Sequence, residues 1–302
     1  MNYTLHQLQV FIEVVRQQSI TKAAEVMHMT QPALSIQLKN FQSQFDIPLT
    51  EVIGRKLYVT DFGHSIAELA ENVLREADTI RYKTKEYEGL FTGQLRISSA
   101  STGKYLIPYF LSEFMEQHRG VDLVLDVTKK SIVVDSLRNN EIDFALVSVV
   151  PKDLIVEEEP LLENRLYLVS NAPAEDQALL TSNRPFIFRE EGSATRQAMD
   201  NYLSRKGRRK RIELTSNEAV KQAVVAGLGY SIIPLIGIKN ELMSRALHII
   251  PAKSLPVITQ WRLVWLRNKK LSPVAQAYLD YVRTHRERIA EESFGWYTDF
   301  GD

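Results

Sequence analysis

The sequence predicts an α/β multidomain chain made of an N-terminal winged helix-turn-helix, a long linker helix and two α/β units. Two short helical patterns flank a tight turn between residues 19 and 45, and one helical period then persists from about 60 to 90. From residue 94 onward strand and helix patterns alternate, which implies mainly parallel sheets covered by helices.

The chain opens with Leu5, Leu8, Phe11, Ile12 and Val15 between Thr4 and Arg16, a helical stripe suited to packing beneath the next two helices. Ser19 or Thr21 can cap the first of these, in which Ala23 and Ala24 admit a close neighbour while Val26 and Met27 continue the apolar face. His28-Met29-Thr30 has the length of a helix-turn-helix turn. Thr30 then caps a second helix with Pro32 in its first turn, where a missing N–H costs little. Leu34, Leu38, Phe41 and Phe45 recur at spacings of four, three and four, the pattern of a buried stripe. Gln31, Ser35, Ile36 and Lys39 take the other face, toward the end that a recognition helix presents to the major groove. There Gln and Ser can read base edges, and isoleucine can meet a thymine methyl. Gly54-Arg55-Lys56 turning into Leu57-Tyr58-Val59 reads as a two-stranded wing with a basic tip for phosphate. A plain helical hairpin packed for stability would show the same periodicity.

Thr60 caps the long helix, which is expected to reach about Leu90. Its apolar seam consists of Ile66, Leu69, Ala70, Val73, Leu74, Ala77 and Ile80. A helix of about 30 residues is about 45 Å long, and such a seam needs a second copy or the helix's own domain to cover it.

Gly93 ends the helix, and strands follow at 94–98, 121–127 and 144–147, with helices at 106–115 and 132–139 between them. A second unit starts near Arg165–Val169 and continues through a strand at Pro185–Phe188 and a helix from about Ala194. Next come a strand near Ile212–Leu214, a helix from Asn217 to Ala226 and a strand at Tyr230–Ile233. Trp261–Leu266 leads back to the first unit, where a closing helix from Pro273 to about Ile289 packs, so hinges are expected near Leu161–Asn164 and Leu266–Asn268. The expected divisions are therefore 1–59, 60–91, 92–163 with 267–290, 164–266, and a surface or disordered tail at 291–302 despite Phe294, Trp296 and Phe300.

Composition narrows the function. The chain's 302 residues suffice for two or three cored domains. Net charge is zero, and residues 1–58 hold five Lys/Arg against four Asp/Glu, so DNA binding would rest on placed contacts and paired half-sites rather than a basic coat. No apolar run approaches the ~18 residues of a membrane span, and the N-terminus shows no secretory signal. The absence of cysteine removes disulfides, thiolate catalysis and thiol redox sensing, which fits a cytoplasmic setting. The six histidines are scattered without metal-ligand spacing, and neither a Gly-x-Ser-x-Gly elbow nor a P-loop is present, so no catalytic, metal or cofactor site is expected. Glu157-Glu158-Glu159 reads as solvated surface, as does the basic run Arg205–Arg211. Gly227-x-Gly229 follows a helix and precedes a strand, the reverse of a dinucleotide fingerprint, and reads as a turn.

A ligand site is expected at loops beyond strand ends. Ser99, Ser101 and Thr102 follow the first strand and lead into a helix, where hydroxyls and backbone N–H groups make an anion site. Thr128 and Ser148 end two other strands, and Gly192, Ser193, Thr195 and Arg196 surround a helix start in the second unit. Together they would clamp a small anionic metabolite; singly, each hydroxyl reads equally as a helix cap, and Arg196 as a salt-bridge partner.

Leu8-x-x-Phe11 with SITKAAEVMHMTQPALSIQLKNF and GRKLYVTDFG resembles the N-terminal module of LysR-type transcriptional regulators. Further matches are Leu137–Leu146, Arg189–Arg196 and Ala226–Pro234, so the likeness spans about residues 4–290. It departs at Gln42, where an acidic residue is usual, at Leu49-Thr50-Glu51-Val52, where Leu-Phe-x-Arg is usual, and at Asn140 in place of glycine. The resemblance implies C-terminal subdomains like those of a type 2 periplasmic binding protein, with an effector in the cleft and Ser99–Thr102 and Thr128 at family positions. It implies DNA contacts from Ser19, Thr30, Gln31, Pro32, Ser35, Ile36, Lys39, Arg55 and Lys56, and dimerisation through Ile66, Leu69, Val73, Leu74, Ala77 and Ile80. The partners implied are double-stranded DNA, an anionic effector, a second copy in a homodimer or homotetramer, and RNA polymerase as a further candidate. Gly192-Ser193-Ala194-Thr195-Arg196 resembles the branch containing carbon-fixation and cysteine-metabolism regulators, and the missing cysteines exclude the thiol mechanism of the peroxide-sensing branch. A solute receptor with structural N-terminal helices is the alternative, and an enzyme built on the same cleft ranks behind it.

Overall fold

The computed structural model describes residues 2–54, 56–87, 91–174, 184–203 and 210–300, with backbone alone at 79 and 81–87. It comprises two compact units, Met1–Leu90 and Phe91–Asp302.

In the first unit, α1 (Leu5–Gln17) begins with a reciprocal cap in which the Gln7 N–H donates to Thr4 Oγ1 and the Thr4 N–H to Gln7 Oε1. Ser19 caps α2 (Ile20–Val26), and Thr30 caps α3 (Gln31–Gln42) with Pro32 in its first turn. Leu34, Leu38 and Phe41 are buried as their stripe requires. The Phe41 ring lies 5.1 Å from Phe11 and 5.2 Å from Phe45, which in turn meets Phe62 at 6.1 Å. Edge and tilted ring contacts thus tie α1, α3 and the next helix into one core. Leu5 and Val26, expected on buried faces, are exposed, whereas Val10 and Val14 are buried. The cause on α1 is that α2, α3 and α4 all contact it, so its covered arc is wider than one stripe.

The wing is an antiparallel ribbon of β1 (Thr50–Ile53) and β2 (Lys56–Val59). Gly54 turns it with φ +67°, a left-handed conformation that glycine adopts without strain. Leu49 is buried and Leu57 packs on the core, while Ile53 is exposed at the tip opposite Lys56. Thr50 Oγ1 donates to Gln42 Oε1 at 2.9 Å, so two of the departures from the family text meet each other.

α4 (Asp61–Tyr87) starts with the Gly63 N–H donating to Thr60 Oγ1 at 2.9 Å. A Cβ on Gly63 would fall 2.1 Å from the Leu49 carbonyl oxygen, so only glycine lets the helix start this close to the wing. The long seam divides. Ile66, Ala67, Ala70 and Leu74 pack on the first unit's core, while Leu69, Val73 and Ile80 are exposed. The expected end of this helix, Leu90, lies outside the described residues.

The second unit is built on a seven-stranded sheet in the order β10-β6-β11-β5-β3-β4, with β9 also on β6. Its strands are β3 (Gly93–Ala100), β4 (Val121–Thr128), β5 (Phe144–Val147), β6 (Val156–Ser170), β9 (Ser231–Pro234), β10 (His248–Ile249) and β11 (Val257–Leu266). A separate parallel pair, β7 (Phe186–Arg189) and β8 (Arg211–Leu214), is bridged from Phe186 to Tyr230, the residue before β9. The helices are α5 (Ile107–Gln117), α6 (Lys130–Arg138), α7 (Ala194–Leu203), α8 (Asn217–Val225), α9 (Lys239–Met243) and α10 (Pro273–Phe294).

The sheet is mixed rather than mainly parallel. β3 pairs β4 and β5 in parallel, but β11 runs antiparallel to both β5 and β6, and β9 and β10 run antiparallel to β6. The reason is that β6 and β11 are long strands crossing the unit side by side, and their register shifts between Trp261 and Arg262. That shift lies within β11, and Leu161–Asn164, one of the two expected crossings, lies inside continuous β6.

Two further expectations change. The acidic run is strand, and Glu159 is buried, accepting from Arg283 Nε at 2.8 Å and from Arg286 Nη1 at 2.7 Å, which ties β6 to α10. The tail is structured: α10 reaches Phe294 and a 3-10 helix covers Gly295–Phe300. Phe294 and Tyr297 are buried, Lys239 lies over the Trp296 ring, and Tyr167 Oη donates to the Phe300 carbonyl at 2.9 Å. Burial of the aromatic rings orders this end. Of the basic run, Lys210 and Arg211 are exposed and the rest lies outside the described residues. Asn140 holds φ +56° where the family text has glycine, a conformation asparagine tolerates.

Candidate functional site

Two surfaces carry the candidate residues, one in each unit. On the first, α3 shows Gln31, Pro32, Ile36 and Lys39 exposed and Ser35 half-buried. The same helix turns Leu34, Leu38 and Phe41 inward. Among the described residues, the Gln31, Ser35 and Lys39 side chains have no internal hydrogen-bond partner, so they remain available. Ser19 and Thr30 each accept a helix N–H and so shape the motif. Lys56 is exposed on β2, and Arg55 lies outside the described residues. Arg16 is taken up by Glu71 at 2.8 Å.

On the second unit, a cleft lies between the ends of β3 and β5 and the β7–α7 region. Of the expected residues it brings together Ser101, Thr102, Ser148, Ser193 and Thr195. Ser99 is wholly buried, its hydroxyl donating to the Ala100 carbonyl, and it packs where Gly103 leaves room. Thr128 ends β4 outside the cleft lining. Arg196 turns away, donating to Asp200 at 2.8 Å, to Glu213 at 2.9 Å and to the Arg189 carbonyl at 2.9 Å over the Phe188 ring. Those acceptors hold its guanidinium as a brace for α7, the salt-bridge role that its residue type equally allows.

The cleft instead uses residues that the sequence reading missed: Lys130, Asn164, Arg189, Glu190, Asn217 and Trp261. Arg189 is buried and paired with Glu190 through Nε at 2.7 Å and Nη2 at 2.6 Å. Its Nη1 reaches Ser101 Oγ at 3.5 Å, and Asn217 Nδ2 donates to the same oxygen at 2.9 Å. Lys130 has no hydrogen-bond partner among the described residues, and burial pulls its pKa downward against the pull of Asp153. α6, α7 and α8 all begin at the cleft, as does the 3-10 helix Ser101–Tyr105. Helix starts present N–H groups and partial positive charge. With Arg189 paired and Lys130 available, the cleft is arranged to hold a small anion. Arg189 had a signal, since it opens a matched motif; Asn164 and Trp261 come from separate strands and had none.

Beside the cleft, Tyr105 Oη donates to Glu218 Oε2 at 2.9 Å, and Lys221 bridges Glu218 and Glu241. Burial and then the hydrogen bond to Glu218 push the Tyr105 hydroxyl up to about 12. This network joins the turn after β3 to α8 and α9.

Family models match most of the chain: one described as bacterial regulatory helix-turn-helix protein, lysR family, over residues 5–64, and one described as LysR substrate binding domain over 88–287. The chain is 34% identical over 297 residues to the HTH-type transcriptional activator CmpR of Synechocystis sp. and 35% identical over 297 residues to a RuBisCO operon transcriptional regulator of Allochromatium vinosum. Both alignments cover 96% of this chain and 98% of the relative. Among solved structures, the regulatory domain of Synechocystis PCC6803 CcmR in complex with 2-PG is 32% identical with a TM-score of 0.59, covering 65% of this chain and 98% of that one.

Proposed function

The chain belongs to the LysR family of bacterial helix-turn-helix regulators, and on that basis we propose that it binds dyad-symmetric operator DNA as an oligomer and responds to a small anionic effector in its cleft. The observation that carries this is the outward face of α3, whose polar side chains are available behind a capped, Pro-started helix. Gln31, Ser35 and Ile36 address base edges, and Lys39 and Lys56, with Arg55, address phosphate. So few cations give weak binding to one half-site, so two recognition helices act together. Leu69, Val73 and Ile80, exposed on α4, form the seam through which two copies pair, and pairs of dimers complete a tetramer.

The effector-binding unit divides into subdomains on either side of the β6–β11 crossing. Ser101, Thr102, Ser148 and Thr195 hold the effector with Lys130 and the helix starts. A small anion such as the 2-PG bound by the CcmR regulatory domain is the ligand class, and carbon-fixation operons are the targets, by analogy with the RuBisCO operon regulator. The protein acts in the cytoplasm as a regulator rather than an enzyme; among the described residues no helix is long and apolar enough to cross a membrane.

Footprinting on the DNA just upstream of its own coding region, with a salt titration, tests the reading. A protected pseudo-dyad lost in Ser35→Ala with Lys39→Ala, from protein that stays folded, is the expected result. Unchanged protection in that variant would remove α3 as the recognition helix.

A further inference from the structure

We propose that Asn164 and Trp261, on the floor of the cleft, form a hydrogen-bonding subsite that selects effectors carrying a hydroxyl group beside their anionic group. This rests on the reading of the cleft as the effector site and names the chemistry that site prefers.

β6 and β11 lie antiparallel here, with Asn164 opposite Thr259 and Trp261 two residues further along β11. Residues opposite one another share a face of the sheet, and so does the residue two places on, which makes Asn164 and Trp261 diagonal neighbours. Both line the cleft, and they are 2% and 1% exposed. Asn164 Nδ2 donates to Thr259 Oγ1 at 2.9 Å, which orients the amide and leaves its oxygen as an acceptor. Asn164 Oδ1 and Trp261 Nε1 have no hydrogen-bond partner among the described residues. Such groups are almost always paired when buried, and an indole N–H can only donate. Other orphaned polar atoms, such as Tyr278 Oη and Thr92 Oγ1, are not on this cleft.

One unsatisfied donor and one unsatisfied acceptor on a single face match a hydroxyl group, which accepts from the indole and donates to the amide at once. A carboxylate oxygen would satisfy Trp261 but confront the Asn164 oxygen, and a methylene would satisfy neither. The anionic end of the same molecule is taken by Lys130 and the starts of α6 and α7, which line the same cleft from outside the crossing strands. Selection then follows the rule that a site built to bind a hydroxyl rejects the analogue lacking it.

The test uses the full chain labelled with 15N-tryptophan, whose three indole signals come from Trp261, Trp265 and Trp296. The probes are two matched pairs, malate against succinate and 3-phosphoglycerate against 3-phosphopropionate. Calorimetry is expected to show the hydroxylated member of a pair binding about 10- to 100-fold tighter. The Trp261 indole signal, assigned with Trp261→Phe, is expected to move in step with binding, and that variant should lose the preference while keeping its anion affinity. Binding without a hydroxyl preference, or with the Trp261 signal unmoved in the wild-type protein, overturns the subsite and leaves the cleft reading intact. No binding of any probe by folded protein overturns the cleft reading and the subsite with it.

Discussion

Thr50 and Gln42 replace an aromatic and an acidic residue usual in the family text, and they do so as a pair joined at 2.9 Å. The wing is thus fastened to α3 by a hydrogen bond in place of an aromatic contact. Thr50→Val should lower stability by about 1 kcal/mol, and a double-mutant cycle with Gln42→Leu should show that the two losses are not additive. Lys39→Ala should weaken DNA binding at all sequences and reduce the salt slope by about 1. At the cleft, Arg196→Ala should lower the melting temperature with little effect on effector affinity, since its donors go to Asp200, Glu213 and a carbonyl. Thr195→Val should do the reverse. Residue types were legible here, because hydroxyls before helix starts are informative at Ser101, Thr102 and Thr195. Orientation was not: nothing in the local sequence says that Arg196 turns toward Asp200 or that Ser99 points inward.

At the scale of elements, α4 carries two faces that one periodic pattern merged. Ile66 and Leu74 belong to the unit's own core, whereas Leu69, Val73 and Ile80 face outward. Leu69→Asp with Val73→Asp should therefore dissociate the oligomer in sedimentation experiments while the first unit keeps its melting transition. The Tyr105–Glu218–Lys221 network gives a second prediction. Tyr105 ionises at 10.0 when unfolded and at about 12 in the fold, so its contribution is present below pH 10.0 and fades as pH rises toward about 12. For Glu218, burial would raise the pKa, but hydrogen bonds from Gln222, Tyr105 and Lys221 outweigh it and lower it from 4.5. That contribution is present above pH 4.5 and fades as pH falls. Tyr105→Phe should lower the melting temperature most between these limits and least beyond them in a thermal melt series. Helices and strands were mostly readable from periodicity. The antiparallel sense of β11, the strand character of the acidic run and the ordered tail were not, because each depends on partners distant in the chain: Arg283 and Arg286 for Glu159, and Tyr167 for Phe300.

For the whole molecule, the central claim is that one chain couples an anion in its cleft to DNA held by α3. Linkage requires that whatever the effector does to DNA affinity or geometry, DNA does in return to effector affinity. The most direct measurement is the footprint and affinity on operator DNA across a 2-PG titration, run beside a Thr195→Val chain. A footprint whose length or affinity changes with effector in the wild-type chain, and holds constant in the variant, is the predicted result. Effector binding shown by calorimetry with no change in footprint or DNA affinity would contradict the coupling.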